Sequence, residues 1–352
     1  MASDLQLVVR GTAYGGWQRM RVRRSLEEIA GQFELRVTDR WPEQNMPRTI
    51  LTGDRAAVVI DGQTVITGYV DSTTPSLDAR AHSITIAGRD ATGDLVDCAA
   101  RHKLGEWRGA NLAQIARDLA APYAIPVHTR TEVGAAFPSW AIQEGESAFE
   151  CLERAARQRG VLLLSDGIGG LVLGRAGEGA IGTALVEGEN LLRGEVRNDA
   201  SQRYASYILK GQQTGDDEVF GEAASALKAT ATDAGVTRPR VLLLVSEDEG
   251  DQAALQRRAQ WEANVRAARA LTATVTVQGW RHAHGLWAPN RTVQLRTPTL
   301  GLDRDLLIRD VELICDEQGL RSELTLTPIE AYSLMAMPGK KKPRKSEQDD
   351  SL

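Results

Sequence analysis

VITGYVDSTTPSLDARAHSITIAGRDA, residues 65–91, decides the fold when it is set beside LLIRDVELICDEQGLRSELTLTPIEA, residues 306–331. Each holds a strand, a turn or loop with Asp and a small residue, a strand that alternates Thr with aliphatics, and a short segment with an acid and Ala. Each follows another β-rich run, AAVVI at 56–60 or TVQLR at 292–296. Alternation buries one face of a strand. Two related β domains are therefore expected, one before and one after the intervening chain. The alternative is the ordinary likeness of any two hairpins.

Asp61-Gly62 separates two β-rich runs and reads as a tight hairpin turn. Gly68, inside the second run, predicts a bulge or sharp bend of the kind small barrels need at corners. LQLVVRG (5–11) and FELRVTD (33–39) add strands to this first domain, taken as residues 1–92 and completed by 180–203. Residues 93–179 read as an inserted α+β domain. Asn111 with Gln114 and Ser147 with Glu150 resemble capping boxes, Pro122 and Gly160 mark helix ends, and VLLLSDGIGGLVLGR forms a hairpin around Asp166-Gly167. Residues 204–335 read as the second β domain, with a helix at 247–271 opened by Ser246 and Glu249. Its apolar face carries Leu255, Trp261, Val265 and Ala268, and its wet face carries Arg258, Glu262, Arg266 and Arg269. Residues 213–239 are expected to be a long surface loop, and 336–352, basic then acidic, a disordered tail. The fold class is thus α+β, mainly β: two similar small barrels with an α+β insertion.

At 352 residues the chain is too long for one core. Its 42% hydrophobic and 25% charged composition is that of a globular protein. The net charge of −5 gives no field that favours polyanions. No run of about 18 apolar residues predicts a membrane span, and MASDLQLVVRG carries no secretory pattern. Synthesis in the cytoplasm is expected. Cys98, Cys151 and Cys315 lie far apart among apolar residues and read as free thiols.

Catalytic chemistry is thinly represented. No serine-hydrolase elbow, zinc-protease helix or phosphate loop occurs. Asp90, Asp94 and Asp97 read as a solvated cluster, and Glu144 and Glu146 as turn residues. GWRHAHGLWAPN (279–290) places His282 and His284 on one side of a strand, as some zinc sites begin. A structural zinc needs four ligands and a catalytic one three, and no further ligand is near in sequence. Trp280, Gly285, Trp287, Pro289 and Asn290 read instead as a barrel corner: two large rings to bury around a turn built by geometry residues. No metal, cofactor or catalytic residue is expected.

GWRHAHGLWAPN, with TVQL and LLIRDVEL after it, resembles the C-terminal signature of the Mu-type phage baseplate hub proteins, within the late control protein D family of contractile-tail hubs. Upstream, VVIDGQTVITGYVD with ITIAGRDATGDLVDCAA, GESAFECLERAARQRGVLLLSDGIGGLVLGR, and NLLRGEVRNDASQRYASYILKGQ resemble successive pieces of that family. The likeness covers roughly residues 5–335, in order; the 213–239 loop and the tail lie outside it. It implies a virion structural protein of the tail baseplate and a homotrimer whose six barrels form a ring between the sixfold tube and the threefold spike. The implied partners are further copies of the chain, a tail tube or distal tail protein, a central spike and baseplate wedge proteins, with DNA only in transit. Two other classes compete: a cell-wall hydrolase carried on a tail, and a carbohydrate- or peptide-binding β module using Trp41, Trp107 and Trp140.

Overall fold

The computed structural model describes residues 4–38, 50–77, 82–211, 227–245 and 252–335. In chain order the first strands are β1 (Leu5–Val9), β2 (Thr12–Tyr14), β3 (Arg19–Ser25), β4 (Gln32–Thr38), β5 (Arg55–Ile60), β6 (Gln63–Leu77) and β7 (His82–Asp90). A compact insertion follows: α1 (Gly93–Asp97), β8 (Glu106–Trp107), α2 (Leu112–Ala120), β9 (Val127–Thr129), β10 (Trp140–Ala141), α3 (Ala148–Arg159), β11 (Leu162–Ser165) and β12 (Leu171–Gly174). Next come β13 (Leu185–Val186), β14 (Leu191–Asn198), β15 (Ser206–Gly211), β16 (Leu227–Thr232), β17 (Val241–Val245) and α4 (Gln252–Arg269). The chain closes with β18 (Leu271–Gln278), the short pair β19 (Arg281–His282) and β20 (Gly285–Leu286), β21 (Thr292–Thr297), β22 (Leu302–Asp316) and β23 (Gly319–Thr327).

The echo in the sequence is a repeat of topology. Strands β3-β4-β7-β6-β5 lie side by side in that order, and so do β14-β18-β23-β22-β21. Both units follow the same path from first strand to fifth. Their third strands have 6 residues, their fourth 15 and their fifth 9. Each fourth strand is bulged against the fifth, between Val70 and Ser72 in β6 and between Ile308 and Asp310 in β22. Aligned on the bulges, Ser72 corresponds to Asp310 and Gly68 to Leu306, three residues away from the frame that the sequence echo suggests.

The bulge sits at Asp71, and Gly68 has a different task. A Cβ on Gly68 would stand 1.9 Å from the Arg89 carbonyl, so only glycine admits the end of β7. Gly88 leaves room for Phe33, its cross-strand neighbour. The corresponding pair in the second unit is Leu326 and Ala273, large and small exchanged.

The two units join in one sheet because β22 is long. Its first half pairs with β21 and its second with β3. Strands of both units contribute to a single apolar cluster, from Leu5 and Leu7 in β1 to Leu324 and Leu326 in β23. Beyond the repeats, β1 flanks β5 and β13 flanks β21.

Three expectations need correction. Residues 180–203 do not complete the first unit: β13 and β14 pair with β21 and β18 of the second. Residues 204–335 are not one barrel. β15, β16 and β17 form a separate sheet covered by α4, with its own core around Tyr207, Leu209, Ala229, Ala231 and Leu255. The span 213–239 is not all loop, since β16 pairs with β15 from Leu227 to Thr232. Ser246, Glu249 and the tail lie outside the described residues. In α4, Glu262 holds Arg266 at 3.2 Å and Arg258 at 3.4 Å at the i,i+4 spacing, but these side chains are only 12–27% exposed, so this part of the face expected to be wet is largely covered.

The insertion packs α2 and α3 on the β11-β12-β9 sheet. Ser147 and Glu150 make the reciprocal cap of α3, and Gly160 ends it in the left-handed region. Asn111 caps α2 from one side only, by accepting from the Gln114 amide.

Candidate functional site: the seam between the β units

The seam is where β22 meets β3. The ladder runs antiparallel from Asp310 opposite Ser25 to Cys315 opposite Met20. The Ser25 hydroxyl donates to Asp310 at 2.5 Å, Arg21 meets Glu312 at 2.7 Å, and Arg19 meets Glu317 at 3.0 Å. Burial raises the pKa of Glu312, and Arg21 opposes that shift. Met20 and Val22 turn inward while Arg19 and Arg21 stay exposed. Sequence reasoning missed β3, because RMRVRRS shows only two apolar residues; the alternation of Arg with Met and Val was the available signal.

The tryptophan corner braces this seam. Trp280 is 1% exposed, and its Nε1 donates to the Ile314 carbonyl at 2.9 Å. Its own carbonyl accepts from the Trp287 amide at 3.1 Å, which closes the corner around β19 and β20. Trp287 is also buried, beside Val22 and Val65 of the first unit and Val311 and Leu313 of the second. Arg281 reaches the Asp61 carboxylate at 3.0 Å. The Asp61-Gly62 turn has φ of +48° and +79°, the primed hairpin geometry, and is thereby tied to the corner.

Asn290 has φ +65° and is buried. Its amide donates to the Arg175 carbonyl at 3.0 Å and accepts from Gly177 at 2.8 Å, so it clamps the chain returning from the insertion. Its structural counterpart in the first unit is Gly53, also left-handed at φ +83° and also donating to the strand opposite, at Val70. Pro289, half-buried, fixes the backbone just before Asn290. Gly285 sits at the tip of the corner with φ +155°. The structure therefore gathers Trp280, Gly285, Trp287, Pro289 and Asn290, connects Gly62 to them through Arg281, and leaves Gly68 apart at the root of the insertion.

The candidate chemical groups serve the scaffold. His284 donates its amide to His282 Nδ1 at 3.2 Å, while burial and the neighbouring His284 lower the His282 pKa. Among the described residues no three His, Cys, Asp or Glu side chains converge as metal ligands. Asp90 accepts from Thr92 at 3.0 and 2.7 Å, and its pKa is raised by burial. Arg89 bridges Asp97 at 2.6 Å and Asp71 at 2.7 Å. Glu146 is held by Arg154 at 2.8 Å. Cys98, Cys151 and Cys315 are free; burial pushes the Cys151 thiol up to about 12. Trp107 and Trp140, candidates for glycan contact, are each 5% exposed in the core of the insertion. Trp140 stacks under Arg154, and Trp107 donates to Asp118. Trp41 lies outside the described residues.

Comparison with known proteins agrees with this architecture. Residues 4–90 match the model of the N-terminal domain of Mu phage baseplate assembly protein GpP-like proteins. Residues 92–175 match the second domain of baseplate hub protein gp44-like proteins, and residues 251–335 the fourth domain of GpP. The chain is 36% identical to baseplate hub protein gp44 of Escherichia phage Mu over 98% of this chain and 93% of that one. The 43 kDa tail protein of prophage MuSo2 from Shewanella oneidensis superposes with a TM-score of 0.85 at 33% identity, covering 94% of this chain and 100% of the other. A tail protein from Neisseria meningitidis shares the fold, with a TM-score of 0.77 at 24% identity, over 95% and 99% of the two chains. These relatives are structural proteins, not enzymes, and no helix among the described residues is long and apolar enough to cross a membrane. The chain belongs to the family of Mu-type baseplate hub proteins, structural components of the phage tail baseplate.

Proposed function

We propose that the protein acts as a homotrimeric ring that adapts the sixfold tail tube to the threefold spike and leaves a path for DNA. The observation that carries this reading is the repeated strand order of the two β units, with their matched 6-, 15- and 9-residue strands. Three copies of a chain with two like units present six near-equivalent surfaces around one axis, which suits a sixfold partner on one side and a threefold partner on the other. A ring of chains needs a head-to-tail contact, since a self-complementary patch gives twofold pairs. The insertion has no counterpart in the second unit and distinguishes the faces of such a ring.

The proposed partners are further copies of the chain, a tube or distal tail protein, a central spike and wedge proteins, with DNA in transit. A pore wall rich in Lys and Arg would hold DNA through counterion release, and the net charge of −5 is consistent with passage. Mass measurement in solution across a concentration series tests the ring. A trimer is expected; a stable monomer at high concentration, or a twofold assembly, overturns it.

A further inference from the structure

At the internal seam, the half of β22 beyond its bulge takes β3 as a neighbour. The same half of β6, Ser72–Leu77, pairs with β7 on one edge and with no strand on the other among the described residues. The counterpart of β3 is β14, which pairs with β18 and ends the sheet. The geometry points to β14 of one chain adding, antiparallel, to the outer half of β6 in a second copy, so that the β3–β22 contact is repeated in trans. This rests on the ring reading above and supplies the contact that ring needs.

The ladders fix the register. The bulges align Ser72 with Asp310, and the successive pairings align Phe33 with Ala273 and Val22 with Val196. Transferring the seam then puts Thr73 opposite Asn198, Pro75 opposite Val196 and Leu77 opposite Gly194. Thr74 and Arg197, and Ser76 and Glu195, face each other between these pairs.

Four observations support that register. The Asp199 amide bonds to Ala270 beside β18, so by alternation Asn198, Val196 and Gly194 turn their main-chain groups outward. On the outer edge of β6, Pro75 has no N–H to give, so its pair with Val196 carries a single bond, from the Val196 amide to the Pro75 carbonyl. At the seam Ser25 donates to Asp310, and the transferred position holds Ser72 and Asp199, the same pair with the strands exchanged. The segment Ser72–Leu77 carries no charge, so it does not repel the charges of β14, and Pro75 is its one edge-blunting residue. Leu77, 71% exposed, and Leu192, 58% exposed, come to the same end of the new ladder.

The test uses the full chain carrying Ser76→Cys and Glu195→Cys. Facing residues of a non-hydrogen-bonded pair stand about 4.5 Å apart at Cα, within disulfide reach. Mild oxidation is expected to give covalent species up to a trimer on a non-reducing gel. The pair Ser76→Cys with Asp199→Cys, four residues out of register, is expected to give none. Val196→Pro removes an outward donor and leaves the β18 ladder intact. It is expected to convert the trimer to monomer with an unchanged circular dichroism spectrum. A trimer by mass that cross-links only out of register, or not at all, overturns this pairing and leaves the ring reading standing. A disulfide formed only within one chain also overturns it. A chain that is monomeric at every concentration overturns the ring reading itself.

Discussion

Replacing Trp280 by alanine should destabilise the protein by about 3–5 kcal/mol. The ring is 1% exposed. A buried tryptophan takes roughly 200 Å² out of water, worth about 5 kcal/mol at about 25 cal/mol per Å², before the burial already present in the unfolded chain is subtracted. Its Nε1 adds a bond to the Ile314 carbonyl at 2.9 Å. Trp287 is the internal comparison: it is 4% exposed, but its Nε1 is buried with no acceptor among the described residues. Phenylalanine keeps much of the ring and removes only the N–H. Trp280→Phe should therefore cost about 1 kcal/mol more than Trp287→Phe. Urea unfolding followed by circular dichroism, with slopes compared across the four variants, measures both effects. Losses below about 1 kcal/mol for both alanine variants would refute an interior position for the rings. Equal losses for the two phenylalanine variants would refute the role given to the Trp280 N–H.

Gly68→Ala should cost about 3 kcal/mol or more, because the new Cβ meets main chain that cannot give way. Gly62→Ala, strained only by its φ of +79°, should cost about 1–2 kcal/mol, and thermal melts of the two variants check that order. Asn290→Ala loses two side-chain bonds and keeps a left-handed backbone, so a loss of about 2–4 kcal/mol is expected; Asn290→Gly, free of the strain, should lose less in the same urea titration. Bonds from Arg321 and from the Gln318 amide hold the Asp316 carboxyl down to about 2. That folded pKa lies below the unfolded value, so the contribution is present above about pH 4 and lost as pH falls toward 2. Asp316→Asn should flatten this part of the acid limb in melting temperatures taken from pH 5 to 2. Elemental analysis should find no stoichiometric zinc, since His282 and His284 have no third partner among the described residues; one zinc per chain would reassign the corner.

Local signals were legible in the sequence. Asp61-Gly62, the Ser147–Glu150 box and the Asp166-Gly167 turn each specify their geometry within a few residues. The tryptophan corner was also readable, because Trp280 and Trp287 within eleven residues of Gly279 and Asn290 demand a buried turn. Long-range pairing was not legible. Nothing inside Leu185–Val186 or Leu191–Asn198 says which unit they join; β21 and β18 decide that from about a hundred residues away or less. β16 was hidden because its inward positions, Ala229 and Ala231, are weak hydrophobes between Lys and Thr. Trp107 and Trp140 were misplaced because a polar neighbourhood in sequence conceals burial supplied by α2 and α3. The clamp of Asn290 on Gly177 and Arg175 spans 113 and 115 residues, beyond any motif.

The joining of β3 to β22 also sets a clock on synthesis. Ser25 and Asp310 are 285 residues apart, which a ribosome adding about 5–20 residues per second takes roughly 15–60 s to bridge. The first unit can collapse on its own strands during that time, but the edge of β3 stays bare until the last strands emerge. Nascent chains crowded on one message therefore offer one another an unpaired strand for tens of seconds, and slowing translation late in the message should raise aggregation more than slowing it early.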